Sequence, residues 1–149
     1  MNFTAALAHG IEQAVGRGAS GMTYVAGRKL GLEFAAGARK TDDLEQALDE
    51  VRRILHENNC LWGFEPYQRA GQPLVQTDDK GRPCLQLVFR DCMIRQALFC
   101  FGHEQKGSLC TMMYGFFSGA LEAITGRRST LAIVHAGENA CLKTLTFEN

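Results

Sequence analysis

The sequence predicts an α+β fold, an antiparallel sheet of about four to five strands packed against helices, in one domain spanning residues 1–149. Three observations predict it. Apolar residues recur at helical spacing through the first third of the chain. From Cys60 onward the pattern shifts to aromatic and β-branched runs, CLWGFEPYQ and CLQLVFRD, divided by the turn-forming segments AGQPL and TDDKGRPC. The chain then closes on RSTLAIVHA and NACLKTLTFE, two alternating runs joined by a short loop.

Taken in order, Phe3, Leu7, Ile11 and Val15 form one helical stripe, which Gly16 and Gly18 stop. A second helix is expected from Ala19 to about Gly37, with Gly27 and Gly31 one turn apart on a single face. Each glycine gives up as much as about 1 kcal/mol of helix propensity relative to alanine, so something must approach closely there. Thr41 is the expected N-cap of a third helix, whose buried stripe is Leu44, Leu48, Val51 and Leu55 and which ends near Asn58 and Asn59. Strands follow from Cys60 to about Gln68, around Leu74 to Thr77, and from Cys84 to Arg90. A short helix is expected from about Asp91 to Phe101. Residues 107–125 read as a further helix in which Gly115, Gly119 and Ala123 repeat the small-residue spacing. The hairpin closes the chain through Gly137, Glu138 and Asn139.

Composition narrows the function. Sixteen Lys plus Arg balance sixteen Asp plus Glu, so no overall field gathers phosphates, and neither nucleic acid nor an anionic membrane is an expected partner. At this length folding can remove roughly two-thirds of the unfolded surface from water, enough for a core without covalent staples. No apolar run is long enough to suggest a membrane span, and the first residues do not read as a signal peptide, so a soluble, cytoplasmic domain is expected. The six cysteines include no C-x-x-C pair and are expected to serve mainly as small apolar filler.

The hairpin supports a geometric inference. With Gly137 to Asn139 as the loop, Ala136 faces Ala140 and His135 faces Cys141, so imidazole and thiol share the side of the sheet that carries Leu131, Ile133, Leu145 and Phe147. Cys110, near the start of the glycine-spaced helix, would join them if that helix packs on the hairpin. Such nitrogen and sulfur ligands suit zinc, with His103 or Glu138 as a fourth. The competing reading is a satisfied core histidine beside unreactive thiols.

The order of GMTYVAGRKLG, a helix, a strand pair, SLCTMMYGFFSGALEAITGRR and IVHAGENACLKTLTF resembles the 4-vinyl reductase domain family, also known as hydrocarbon-binding proteins. The resemblance implies an α/β domain with an antiparallel sheet backed by helices, usually dimeric, enclosing a small apolar ligand. Its members include sensor domains of regulators responding to aromatic compounds, proteins linked to bacteriochlorophyll synthesis and, more remotely, vesicle-tethering subunits. In the aromatic sensors a zinc ion is held by three cysteines and a glutamate. By position Cys110 and Cys141 match the first and last cysteine, and His135 stands where the middle one would be. Ala132 occupies the place of the glutamate, a departure that leaves a ligand missing.

Ten of the thirteen aromatic residues lie from Trp62 onward. Trp62, Phe89, Phe99, Tyr114 and Phe117, with His103 as a polar handle, are the candidate ligand-binding residues, although each can equally fill a core. Arg28 either anchors an anionic group or pairs with Glu33 or another acid. Catalysis finds less support. The chain has no G-x-S-x-G elbow, phosphate loop, H-E-x-x-H or dinucleotide fingerprint, and a Cys110 thiol with His103 and Glu104 beside it is an accident-prone pairing. The expected function is a non-catalytic binding or sensing module for a small hydrophobic or aromatic molecule, of which a tetrapyrrole is one example, acting through a partner. The alternative is a dimeric assembly factor docking on a larger complex. A vinyl-group reductase component ranks last, since its hydride donor would have to come from elsewhere.

Overall fold

The computed structural model describes residues 2–16, 18–60, 62–90, 92, 107–137 and 139–148, with side chains described from Ala6 onward. The helix expected from Asp91 to Phe101, the ligand candidates Phe99 and His103, and Glu138 lie outside the described residues. Among the described residues there are four helices, α1 (Asn2–Val15), α2 (Gly18–Phe34), α3 (Leu44–Glu57) and α4 (Ser108–Thr125). Five strands accompany them: β1 (Phe64–Tyr67), β2 (Gln76–Thr77), β3 (Pro83–Arg90), β4 (Ser129–Ala136) and β5 (Ala140–Phe147).

The helix boundaries follow local chemistry. Gly16 adopts φ 63° and ends α1. The N-cap of α3 is Asp43, not Thr41: the Asp43 carboxylate accepts the Gln46 N–H at 3.0 Å, while the Thr41 hydroxyl accepts the Asp43 N–H at 3.1 Å. An acidic cap two residues later satisfies the same orphan donors and meets the helix dipole with a negative charge. The first strand begins at Phe64 rather than Cys60, because Asn59 turns through φ 52° and the Cys60 N–H reaches back to the Leu55 carbonyl at 2.8 Å, still closing α3. Thr125 and Gly126, the latter at φ 71°, stop α4.

The sheet is antiparallel throughout, in the order β1-β3-β5-β4, with β2 also pairing to β3. Its inward side is built of cross-strand rows. Phe64, Phe89, Cys141 and Ala136 form one row, Leu85, Leu145 and Leu131 another. Between them runs Pro66, Leu87, Lys143 and Ile133, so a lysine stands in the middle of an apolar row.

Helix α4 covers this face. Met113, Phe117, Leu121 and Ile124 are closed from solvent, and Phe117 meets Phe64 and Phe89 edge-on with ring centroids 5.1 and 5.5 Å away. Its other side meets α2 along the two glycine pairs predicted to be sites of close approach. A Cβ on Gly27 would run into the Met112 carbonyl oxygen, and one on Gly31 into that of Phe116. In return Gly115 and Gly119 accommodate the carbonyl oxygens of Tyr24 and Arg28. The small stripes thus serve a helix crossing within the chain. Alongside it Arg28 donates to Glu122 at 2.6 Å, which settles that residue's partner as an acid on α4 rather than Glu33. Helix α1 adds a tie of its own: the Glu12 carboxylate accepts the Ser108 N–H at 2.6 Å and supplies the cap that Gly107, without a side chain, cannot.

Candidate functional site

The terminal hairpin holds the predicted register only from Ser129 to Ile133. There Leu131 and Ile133 turn inward beside Leu145, as expected. The pairing then slips at Val134, and beyond this bulge His135 lies opposite Leu142 while Ala136 takes Cys141. Because side chains alternate across a strand, one extra residue moves everything past it to the other face. His135 is consequently exposed, and Cys141 is buried on the helix side. The expectation that His135 and Cys141 share a side is corrected by this bulge.

Of Cys110, His135 and Cys141, only the two cysteines approach one region, and Ala132, at the place of the glutamate, points to solvent. Among the described residues no group of three or more His, Cys, Asp or Glu side chains is gathered as a metal site. The cation next to Cys110 and Cys141 is instead the ammonium of Lys143, which both thiols influence electrostatically together with that of Cys92.

Lys143 is 2% exposed. Its Nζ lies 3.2 Å from Sδ of Met113, 4.4 Å from the ring centre of Phe89 and 4.8 Å from that of Tyr114. No carboxylate among the described residues comes within ion-pair distance of it. Burying an ammonium costs several kcal/mol even after relaxation. Each ring face returns about 2 kcal/mol at best, and a thioether is a weak acceptor. Desolvation accordingly pushes the Lys143 pKa down, opposed by the three thiols.

Tyr114 completes the cluster. Among the described residues its hydroxyl is buried without a hydrogen-bond partner, and burial pushes its pKa up, with the thiols of Cys110, Cys141 and Cys92 adding to the rise. Tyr114 and Cys110 are partly exposed at one side of the cluster, whereas Met113, Phe89 and Phe117 are closed beneath. The arrangement is an apolar, aromatic-walled cluster that contains two strong donors, the Lys143 amine and the Tyr114 hydroxyl.

Of the ligand-binding candidates, Phe89, Tyr114 and Phe117 meet at this cluster. Trp62 does not. It packs edge-on against Phe116 at 5.6 Å and borders a separate pocket of about 200 Å³ with Arg52, Leu55 and Cys60, its indole N–H buried and without a partner among the described residues. Lys143 is the residue that the sequence reading passed over. The signal was present, since the alternation that carries Cys141, Leu145 and Phe147 inward carries position 143 inward with them.

None of the described helices is long and apolar enough to cross a membrane. No family model matches the chain, and no curated protein does. Among solved structures it is similar to the phenol-responsive sensory domain of the transcription activator PoxR, determined with phenol. The two share 17% identity with a TM-score of 0.72, covering 98% of this chain and 73% of that one. At that identity the likeness establishes a common fold.

Proposed function

We propose that this chain is a non-catalytic module that binds a small aromatic molecule and passes the binding event to a partner protein in the cytoplasm. The observation that carries this reading is the pair of buried donors on Tyr114 and Lys143, set against the rings of Phe89 and Phe117, with no acceptor oxygen among the described residues to meet the tyrosine. Buried polar groups are ordinarily satisfied, and those left unmet in an aromatic setting are what a ligand's oxygen would satisfy. The shared fold with a phenol-responsive domain supports the same reading. The resemblance to the 4-vinyl reductase family agrees in fold type and ligand class, while its reductase chemistry would need a hydride donor from elsewhere.

The test uses the single tryptophan. Titration with phenol, toluene and benzoate, followed by Trp62 fluorescence and by thermal unfolding, should give saturable binding by at least one of them. A ligand at a hundred times its Kd adds about 2.7 kcal/mol to stability. No saturable binding by any of the three would remove the reading.

A second reading, assembly through dimerisation, is favoured by one observation. Leu7, Val15, Met22 and Val25 on α1 and α2 are each about half exposed or more, Val25 at 67%. Apolar side chains grouped on two neighbouring helices suit a protein partner, a second copy being the simplest. Sedimentation of the wild type and of Met22→Glu/Val25→Glu separates the cases: a dimer that the double variant dissociates supports this reading, and a wild-type monomer removes it.

A further inference from the structure

Resting on the reading of this site as an aromatic-molecule receptor, we infer that its ligand class is the aromatic carboxylates, with Lys143 as the residue that selects the acid over its neutral analogues. Lys143 is a cation in the centre of an apolar sheet row, flanked by Leu87 and Ile133. Its immediate surroundings are a thioether and two ring faces, and among the described residues no carboxylate balances it. A site meant for a neutral hydrocarbon gains nothing from such a group, because an apolar side chain there would avoid the desolvation penalty.

Two features favour a carboxylate over a phenol. A carboxylate is already charged at neutral pH, whereas a phenol, with an ordinary pKa of about 10, would have to lose its proton to balance the ammonium. A carboxylate also presents two oxygens, one for the Lys143 ammonium and one for the unmet Tyr114 hydroxyl. The apolar remainder of the ligand would then meet the aromatic wall of the cluster, in which Phe89 and Phe117 pack edge-to-face with ring centroids 5.5 Å apart.

The experiment is calorimetric titration at neutral pH with benzoate, benzamide and phenol, on the wild type, Lys143→Met and Tyr114→Phe. Wild-type protein should bind benzoate at least about tenfold more tightly than benzamide or phenol, the discrimination expected of a desolvated charge pair. Lys143→Met should lose that preference, its affinities for benzoate, benzamide and phenol converging to within about threefold of one another. Tyr114→Phe should weaken benzoate by a smaller factor. Phenol or benzamide binding as tightly as benzoate overturns the inference and leaves the aromatic receptor standing. Benzoate affinity unchanged in Lys143→Met does the same. Failure of all three compounds to bind overturns inference and receptor together. The wild-type comparison is decisive even if a variant does not fold.

Discussion

Gly31 of α2 lies directly against the carbonyl oxygen of Phe116 in α4, so close that the helix crossing admits no side chain at that point. The contact is with backbone, which cannot swing away. Gly31→Ala should therefore destabilise the protein by about 3 kcal/mol, the upper end of the usual overpacking range, or force the helices apart. Gly10→Ala, within α1 and with open space around the new methyl, is the control and should stabilise by about 0.5–1 kcal/mol. Urea unfolding of the two variants measures both, and equal midpoints would show that the crossing is looser than described.

Lys143→Met bears on stability as well as on ligand choice. Replacing a buried ammonium that no carboxylate among the described residues balances by an apolar chain of similar length should raise stability by about 1–3 kcal/mol, as buried charges exchanged for hydrocarbon commonly do. Thermal unfolding without ligand reads the change. A lower melting temperature would mean that the rings of Phe89 and Tyr114 and the neighbouring thiols fully compensate the charge.

Glu50 makes an acid-sensitive tie. The Arg53 guanidinium beside it, helped by the Arg39 N–H at 2.9 Å, holds its carboxyl at about 2, against an ordinary value of 4.5. A group depressed in the folded state contributes fully above its unfolded pKa and loses that contribution as pH falls through the folded one, here between about pH 4.5 and 2. Arg53 is half exposed, so solvent screens the pair and the contribution is set at about 1–2 kcal/mol. Stability measured from pH 7 to 2.5 should fall less steeply in Glu50→Gln than in the wild type, and parallel curves would assign the acid limb to other carboxylates.

The α1 to α4 connection is tested at Glu12. Glu12→Ala leaves the Ser108 N–H without its carboxylate cap and should cost about 1 kcal/mol. Hydrogen exchange should quicken at the first turn of α4 and leave β3 and β5 unchanged. Uniform acceleration would indicate a global loss instead.

His135→Ala should change stability by no more than about 0.5 kcal/mol, as an exposed position does, while Cys141→Ser, placing a hydroxyl in a buried row, should cost about 1–2 kcal/mol. Equal effects would put the histidine back on the inward face.

The helices and strands were legible because each carries a period that burial enforces: Leu44, Leu48, Val51 and Leu55 on α3, or the inward run of β5. The glycine pairs were legible too, since only a close neighbour accounts for their cost within a helix. What escaped was set by single residues. A bulge at Val134 has no distinct composition, yet it decides which way His135 faces. Lys143 went unread because a charged residue in an alternating strand suggests an outward position, and the register alone says otherwise. The arrangement of Tyr114 with Lys143 depends on how far along β5 the helix lies, a tertiary matter that no local pattern encodes.

The slip at Val134 has a further consequence, for among the described strands β4 forms one margin of the sheet, with a line of backbone donors and acceptors on its outer side. A straight margin of that kind invites a second molecule to zip on and polymerise. The added residue interrupts that template near the outer end of the strand, so the same irregularity that turns the imidazole to water also makes this margin a poorer place for a second strand to pair.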